Sequence, residues 1–321
     1  MNSWRPSASI RLLQERASLL SEIRRFFTHR GVLEVETPVL SSSANPDAAI
    51  DPMLSGFRPP GSHRPEPLYL QTSPEFPMKR LLAAGSGSIF QICRAFRNGE
   101  CGRLHNPEFT LLEWYRIDYD HFQLMDEVDA LLVQLLPGCA AAQRLRYADL
   151  FLIHTGLDLF TATDAELQER AEAAGVVIPE SVQSEWLIEI LFELCVGPWL
   201  QQQKEVIVYD YPAAQASLSQ LSAQDPRVAE RFEYYFQGME LANGFHELAD
   251  AAEQRRRFEA ENLKRQRAGQ EQLPPDQHFL HALEYGLPEC SGVALGVDRL
   301  LMLRCDVDHI SEVLTFPFDR A

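Results

Sequence analysis

Arginines, carboxylates and an aromatic stand at spacings that could hold a phosphorylated ligand. In "FRNGECGRLHNPEFTLLEWYR", residues 96–116, Arg97, Arg103 and His105 sit in and around a turn between two runs of apolar and β-forming residues, "SIFQICRAFR" and "PEFTLLEWYR". An ordinary hairpin needs only a tight turn, such as Asn98 with Gly99. Arg97 closes the first run and offers a planar fork suited to a phosphate. Phe109 opens the return run and could present a flat face to a base. Glu113 and Tyr115, two apart on a strand, share one face with Phe109 and Leu111, while Trp114 points the other way. Taken alone, this pattern fits a surface-charged hairpin as well as it fits a phosphate site.

Two further stretches resolve the ambiguity. "FEYYFQGMELANGFHE" places Glu233, Glu240 and Glu247 seven apart. Carboxylates on neighbouring stretches of sheet can hold Mg²⁺ shared with a nucleotide's phosphates, although the same acids could simply face water. Asn243 with Gly244 reads as a turn or bulge. In "SGVALGVDRL" a strand meets a helix through Gly296, with Asp298 and Arg299 at the junction. Glycine there permits close backbone approach, and Arg299 could stack on a purine opposite Phe109. A capped helix start explains that stretch equally well on its own. Together the three stretches describe ATP bound on an antiparallel sheet. Neither GxxxxGK[ST] nor a GxGxxG after a strand is present, so those two nucleotide cradles are excluded.

The elements that must position these residues follow from periodicity. Residues 9–30 have helical spacing and stop at Gly31; "GVLEVETPVL" alternates as a strand ended by Pro38; residues 41–67 read as a long irregular connection. "PLYLQTSPEFPMKRLLAAG" gives a short strand, a turn and a helix beginning near Pro74 or Glu75. Beyond the hairpin, "DEVDALLVQLL" is a helix closed by Pro137 and Gly138. Residues 139–200 are mixed helix and loop with no catalytic pattern, "EWLIEILFELCVGPW" being a buried helix. "EVIVYDYP" is a strand halted by Pro212, and "RFEYYFQGMELANGFHELAD" is strand, turn and continuation. "AAEQRRRFEAENLKRQRAG" is a charged helix with a solvated face. The expected class is α+β, an antiparallel sheet flanked by helices.

With 321 residues, 45% apolar and 23% charged, the chain can bury a substantial core. Its net charge of −17 disfavours a nucleic-acid partner such as tRNA and suits a cationic ligand. The six cysteines are scattered, with no CxxC pair and no histidine at ligand spacing, which argues against a disulfide framework or a zinc site. They read as reduced, mostly buried thiols. The first residues lack the apolar run of a signal peptide, and nothing approaches the ~20 apolar residues of a membrane span. A soluble, cytoplasmic protein is expected.

The motifs resemble those of the catalytic domain of class II aminoacyl-tRNA synthetases: "GVLEVETPVL" their first, "FRNGECGRLHNPEFTLLEWY" their second, "GVALGVDRL" their third. "HNPEFT", "LEWY" and "ELANGFHEL" are similar to the lysyl branch. The first motif begins near Gly31, which leaves room for one helix and no anticodon-binding β-barrel. From "WRPSASI" to "CSGVALGVDRL" the chain is similar to the short bacterial lysyl-synthetase paralogues that use ATP to join (R)-β-lysine to a lysine of elongation factor P. The resemblance implies a single catalytic domain over residues 1–321, with an N-terminal helix within 1–30 and a helical insertion-like segment at 139–204. It also implies a homodimer.

On this resemblance Arg97 clamps the α-phosphate, Asn106 and Phe109 hold the adenosine, and Arg299 closes over the adenine. Arg103 and His105 serve the outer phosphates. Asn98, Gly99 and Glu100 form the loop around the nucleotide, and Leu241 and Gly296 complete its surroundings. Glu233 and Glu240 hold Mg²⁺. Glu113, Tyr115, Asn243, Phe245 and Glu247 line the amino-acid pocket, with Ser73, Pro74 and Glu75 at its edge. Ala294 stands where lysyl synthetases have glycine, and its methyl reshapes the pocket toward a β-amino acid, a discrimination worth about 1–3 kcal/mol. The second motif departs from Arg-x-Glu: Gly99 occupies the glutamate position, and either Glu100 takes over after a small loop shift, the favoured reading, or that contact is lost. Two other readings remain, a shortened synthetase charging tRNA and an inactive regulatory paralogue; retention of Arg97, Glu233, Glu240 and Arg299 argues against the latter.

Overall fold

The structure, a computed structural model, describes residues 4–179 and 183–321. Parts of two expected segments, residues 1–3 of the N-terminal stretch and 180–182 within the insertion, lie outside the described residues. In chain order the elements are α1 (Ile10–Thr28), β1 (Leu33–Glu34), β2 (Leu40–Ser41), β3 (Leu54–Phe57), β4 (Glu66–Leu70), α2 (Glu75–Ala83), β5 (Ile89–Phe96), β6 (Glu108–Ile117), α3 (His121–Leu135), β7 (Gln143–Arg146), α4 (Tyr147–Thr155) and α5 (Asp164–Ala173). There follow α6 (Ser184–Leu191), a π-helical turn (Phe192–Val196), α7 (Gly197–Leu200), β8 (Glu205–Pro212), β9 (Val228–Phe236), β10 (Met239–His246), α8 (Ala251–Arg267), α9 (Gln277–Tyr285), β11 (Cys290–Gly296) and α10 (Val297–Cys305).

The chain divides into two compact units. One takes the described residues up to Tyr119 together with Gln134–Pro137 and Leu248–Ala321; the other takes Asp120–Val133 and Gly138–Glu247. In the first unit the strands run in the order β1-β5-β6-β11, with β1 parallel to β5 and the other neighbours antiparallel. The two faces of β6 differ. Trp114 packs with Phe27 of α1, which in turn stacks on Phe90 of β5 at 4.7 Å between ring centroids. Glu113 and Tyr115 face the other way, as period-2 alternation requires. Ser9 caps α1 by accepting from the Leu12 N–H, and Gly31 just beyond it takes φ +68°. A three-stranded antiparallel sheet, β2-β4-β3, stands beside α2, whose Phe76 stacks on Phe279 of α9 at 4.6 Å. The beginning and end of the described chain are tied together: Ser7 N–H donates to Thr315 O (2.8 Å), Ala8 N–H to Leu314 O (3.1 Å), and the Arg320 guanidinium to Ser7 Oγ and Arg5 O.

In the second unit the order is β10-β9-β8-β7, antiparallel except for the parallel pair β8 and β7. Helices α4 to α7 cover β8 through a core of Tyr147, Phe151, Leu167, Leu191, Phe192 and Val206. The β9–β10 connection is a two-residue loop, Gln237 (φ +49°) and Gly238 (φ +74°), the geometry that keeps the twist of a tight hairpin.

The antiparallel, helix-flanked class is as expected. Several local expectations are corrected. The first motif forms only the two-residue β1 before Pro38; the connection 41–67 contains β3 and the start of β4, and β7 and α9 were not foreseen. Asn243 with Gly244 is no turn but lies within β10, the turn being at 237–238. Of the six free cysteines only Cys290 is buried, and Cys101 is exposed. No described helix is long and apolar enough to cross a membrane.

Candidate active site

In the first unit the β5–β6 connection and the start of α10 bring charged groups together. Arg97 follows the last residue of β5 and is fixed there by its N–H donating to Pro107 O (3.0 Å). Its guanidinium lies 5.0 Å from the Phe109 ring centroid, a cation–π contact, and 3.5 Å from Glu100. Arg97 Nε is buried without a hydrogen-bond partner, so a donor stands ready for a ligand oxygen. Gly99 takes φ +77°, which favours glycine at this position and lets Glu100 turn back onto Arg97. Arg299, in the first turn of α10, donates to Leu104 O (3.3 Å) and to His105 Nε2 (2.8 Å). Burial and the Arg299 charge hold His105 below the ordinary histidine range, which matches its role as acceptor. The cation over Phe109 is thus Arg97, whereas Arg299 braces the loop through His105.

Three of the residues expected at the ligand also make internal bonds that hold the loop. Asn106 donates to Glu108 O (2.6 Å) and accepts from the Phe318 N–H (3.0 Å), so its side-chain amide pins the C-terminal segment to the loop. Asn98 pairs with Asp51 through side chain (2.9 Å) and backbone (2.8 Å). Arg103 reaches Asp308 O (3.3 Å).

On the open face of β6, Glu113 is buried and accepts from Tyr115 Oη (2.7 Å) and Ser73 Oγ (2.7 Å). Ser73 also accepts from the Glu75 N–H (3.1 Å), so the residues before α2 are locked onto the sheet floor. Glu75 is paired with the buried Lys79 at 2.6 Å, and Pro74 immediately precedes the helix. Burial first, then Glu75, pushes the Glu113 carboxyl up to about 7 despite the two hydroxyl donors. Ala294 stands opposite Glu113 on β11, Gly292 opposite Tyr115 and Gly296 opposite Leu111. Small residues therefore stand across from the acid and its neighbours on this face.

In the second unit Arg231, Glu233 and Tyr235 alternate along β9, and directly across on β10 stand Phe245, Asn243 and Glu240. Residues opposite one another point to the same side. Glu240 and Asn243, three apart, can share that face only because Leu241 is an extra residue where the register slips. Glu233 accepts from Arg231 (2.6 Å), Tyr235 and Asn243 Nδ2 (3.2 Å). Arg231 lies 4.7 Å from the Tyr211 ring and 5.9 Å from Phe245. Glu247 follows β10, buried, opposite Ser219. Asn243 Oδ1 is buried with no hydrogen-bond partner. An unanswered oxygen beside two carboxylates is the donor chemistry that hard divalent cations such as Mg²⁺ take.

Arg265 escaped the sequence reading, and Asp298, placed there only at the strand–helix junction, has a supporting role that was not foreseen. Arg265 belongs to the helix expected to be solvated, yet it is 1% exposed. It donates to Glu271 O (2.7 Å), Asp47 O, Ile50 O and Asp51 (2.8 Å), and Asp51 holds Asn98 of the loop. Asp298 is buried, accepts from the Thr110 N–H (2.7 Å), and is paired with Arg16 of α1, which anchors α10 to β6. A cationic position inside a charged helix carries no periodic sign of burial, so composition could not single Arg265 out.

Residues 2–320 match the model of the family described as tRNA synthetases class II (D, K and N). The chain is 53% identical to the elongation factor P–(R)-β-lysine ligase of Edwardsiella ictaluri over 323 residues, spanning 100% of this chain and 99% of that protein. It is 52% identical to the protein of the same name from Pectobacterium atrosepticum, and 51% to that from Salmonella typhi, each covering 99% of this chain and 98% of the relative. The chain belongs to the class II tRNA synthetase family, in its D, K and N group.

Proposed function

We propose that the chain is an ATP-dependent ligase that activates (R)-β-lysine as an acyl-adenylate and transfers it to a lysine side chain of elongation factor P. The supporting observation is the end-to-end similarity to relatives bearing that name, with the charged residues of all three motifs present. Residues 1–321 would serve as one catalytic domain, with 139–204 as a helical insertion, in a cytoplasmic homodimer.

In the first step the β-lysine carboxylate attacks the α-phosphorus of ATP and pyrophosphate leaves. Such transfer needs positioning and charge neutralisation more than covalent participation by the protein. Arg97 would meet the α-phosphate, its Nε supplying a donor not otherwise engaged, and Phe109 and Arg299 would flank the adenine, the base taking the place on the ring that the Arg97 guanidinium holds here. Glu100 orients Arg97 in place of the glutamate that family members carry one position earlier. Glu233 and Glu240 would hold Mg²⁺, which when bound neutralises phosphoryl charge. Glu113 and Glu247 would take the ammonium groups, with Ser73 and Tyr115 holding Glu113 in place. In the second step the acceptor lysine amine, whose free pKa is about 10.4, attacks as the neutral amine, its proton passing to the departing adenylate phosphate.

The test incubates pure protein with ATP, (R)-β-lysine, and either elongation factor P or tRNA(Lys), and weighs both acceptors by mass spectrometry. A lysyl mass gain on elongation factor P alone is expected. A gain on tRNA alone overturns the proposal in favour of a shortened synthetase, and no pyrophosphate release at all identifies an inactive paralogue.

A further inference from the structure

Two imidazoles and a carboxylate meet in the second unit, among residues to which the proposed reaction gives no role. His121 opens α3, Glu230 lies on β9 and His246 ends β10. Their ligand atoms all lie within 4.8 Å of one another. Glu230 Oε2 is 2.5 Å from His246 Nδ1 and 3.8 Å from His121 Nδ1. The two imidazole planes are 24° apart with centroids 6.4 Å apart. The backbone beneath is fixed, since Gln220 N–H donates to His246 O (2.8 Å) and Glu230 N–H to Gln220 O (2.9 Å).

His121 supplies the independent sign of a ligand. It is 5% exposed, and neither ring nitrogen has a hydrogen-bond partner. Leaving a buried polar group unanswered is costly, and one of those nitrogens is turned toward the carboxylate that His246 already meets.

We propose that His121, Glu230 and His246 form a zinc site of two imidazoles and one carboxylate, with water in the fourth position. Nitrogen-rich mixed donors select Zn²⁺ over the hard, all-oxygen preference of Mg²⁺. Ligand atoms around a tetrahedral zinc stand roughly 3.3 Å apart for bonds of about 2.0 Å. The 3.8 Å gap from Glu230 to His121 needs slight contraction, a small rotation of Glu230 away from His246 lengthens that 2.5 Å edge, and the ligand nitrogens of the two imidazoles lie within 4.8 Å of each other. The ion would staple the start of α3 to the β9–β10 hairpin. Because the ligands come from positions 121, 230 and 246, no local spacing in the sequence could announce them.

The test titrates chelator-stripped full-length protein with Zn²⁺ by calorimetry and with Co²⁺ by visible spectroscopy, beside His121→Phe and Glu230→Gln. Wild type should bind a single tight equivalent of Zn²⁺, show the intense d–d bands of tetrahedral Co²⁺, and melt at higher temperature with Zn²⁺ but not with Mg²⁺. Each variant should weaken Zn²⁺ by at least the ~10–100-fold seen on losing a metal's outer-shell partner. Circular dichroism and pyrophosphate exchange without zinc check that the variants fold, and the Co²⁺ spectrum of wild type depends on neither. Wild type without a tetrahedral Co²⁺ spectrum, or folded variants retaining wild-type Zn²⁺ affinity, would leave the cluster a plain Glu230–His246 hydrogen bond and overturn the proposal.

Discussion

If Glu113 receives an ammonium group of the amino acid, substrate binding must depend on pH in a way its surroundings set. The carboxyl is pushed up to about 7, chiefly by burial and next by Glu75. Because its pKa in the folded protein is raised, the folded state holds this proton more tightly than the unfolded chain does. Its ionisation without a partner costs no stability at acid pH and costs fully above neutrality. A diamine arriving beside it restores the ionised form, so below neutrality binding must release the proton. For a group titrating at about 7, the ionised fraction falls roughly tenfold from pH 8 to pH 6, and affinity for (R)-β-lysine should weaken by about that factor. Calorimetry in two buffers of different ionisation enthalpy measures both quantities, the Kd and the proton released per ligand. Glu113→Gln should bind weakly and without this pH dependence. Affinity that stays level across the range in wild type, with no proton release at pH 6, refutes the assignment of Glu113 to the ammonium.

Other consequences can be measured as directly. Arg97→Ala should lower ATP–pyrophosphate exchange by roughly 10²–10³-fold, as loss of one well-placed charge-stabilising donor does, with the melting temperature little changed; undiminished exchange refutes its role. Arg265→Met leaves three backbone carbonyls and the half-exposed Asp51 without their donor, and because water can reach Asp51 chemical denaturation should register a loss of about 1–3 kcal/mol. A loss under about 1 kcal/mol would mean water answers those groups instead. Gly238→Ala places a Cβ 2.6 Å from Gln201 Cγ at a backbone φ of +74°, so a destabilisation of about 1–3 kcal/mol is expected on thermal melting.

What could be read in advance was whatever alternation and turn chemistry impose locally. The opposition of Trp114 to Glu113 and Tyr115 follows from the two-residue period, and the structure puts one against α1 and the others on the open face. Glu233 and Glu240 were associated by spacing, but how they share a face depends on the turn at 237–238 and the slip at Leu241, and the sequence suggested a turn or bulge at 243–244 instead. Arg265, Asp298 and the His121 cluster depend on residues more than a hundred positions apart or on burial of a charge. Neither leaves a periodic trace. Asn98 and Asn106 show the converse: a residue in a recognised motif can act by holding the loop's backbone.

The pinning of Phe318 by Asn106, together with the ties between Arg320 and residues 5 and 7, has a practical bearing. An affinity tag fused after Ala321 pulls on a segment moored to the β5–β6 loop itself, so tagged and tag-free preparations should be compared before any kinetic constant is interpreted. The same adjacency makes a circularly permuted chain feasible, with a short linker joining the old ends and new ones opened at an exposed loop elsewhere.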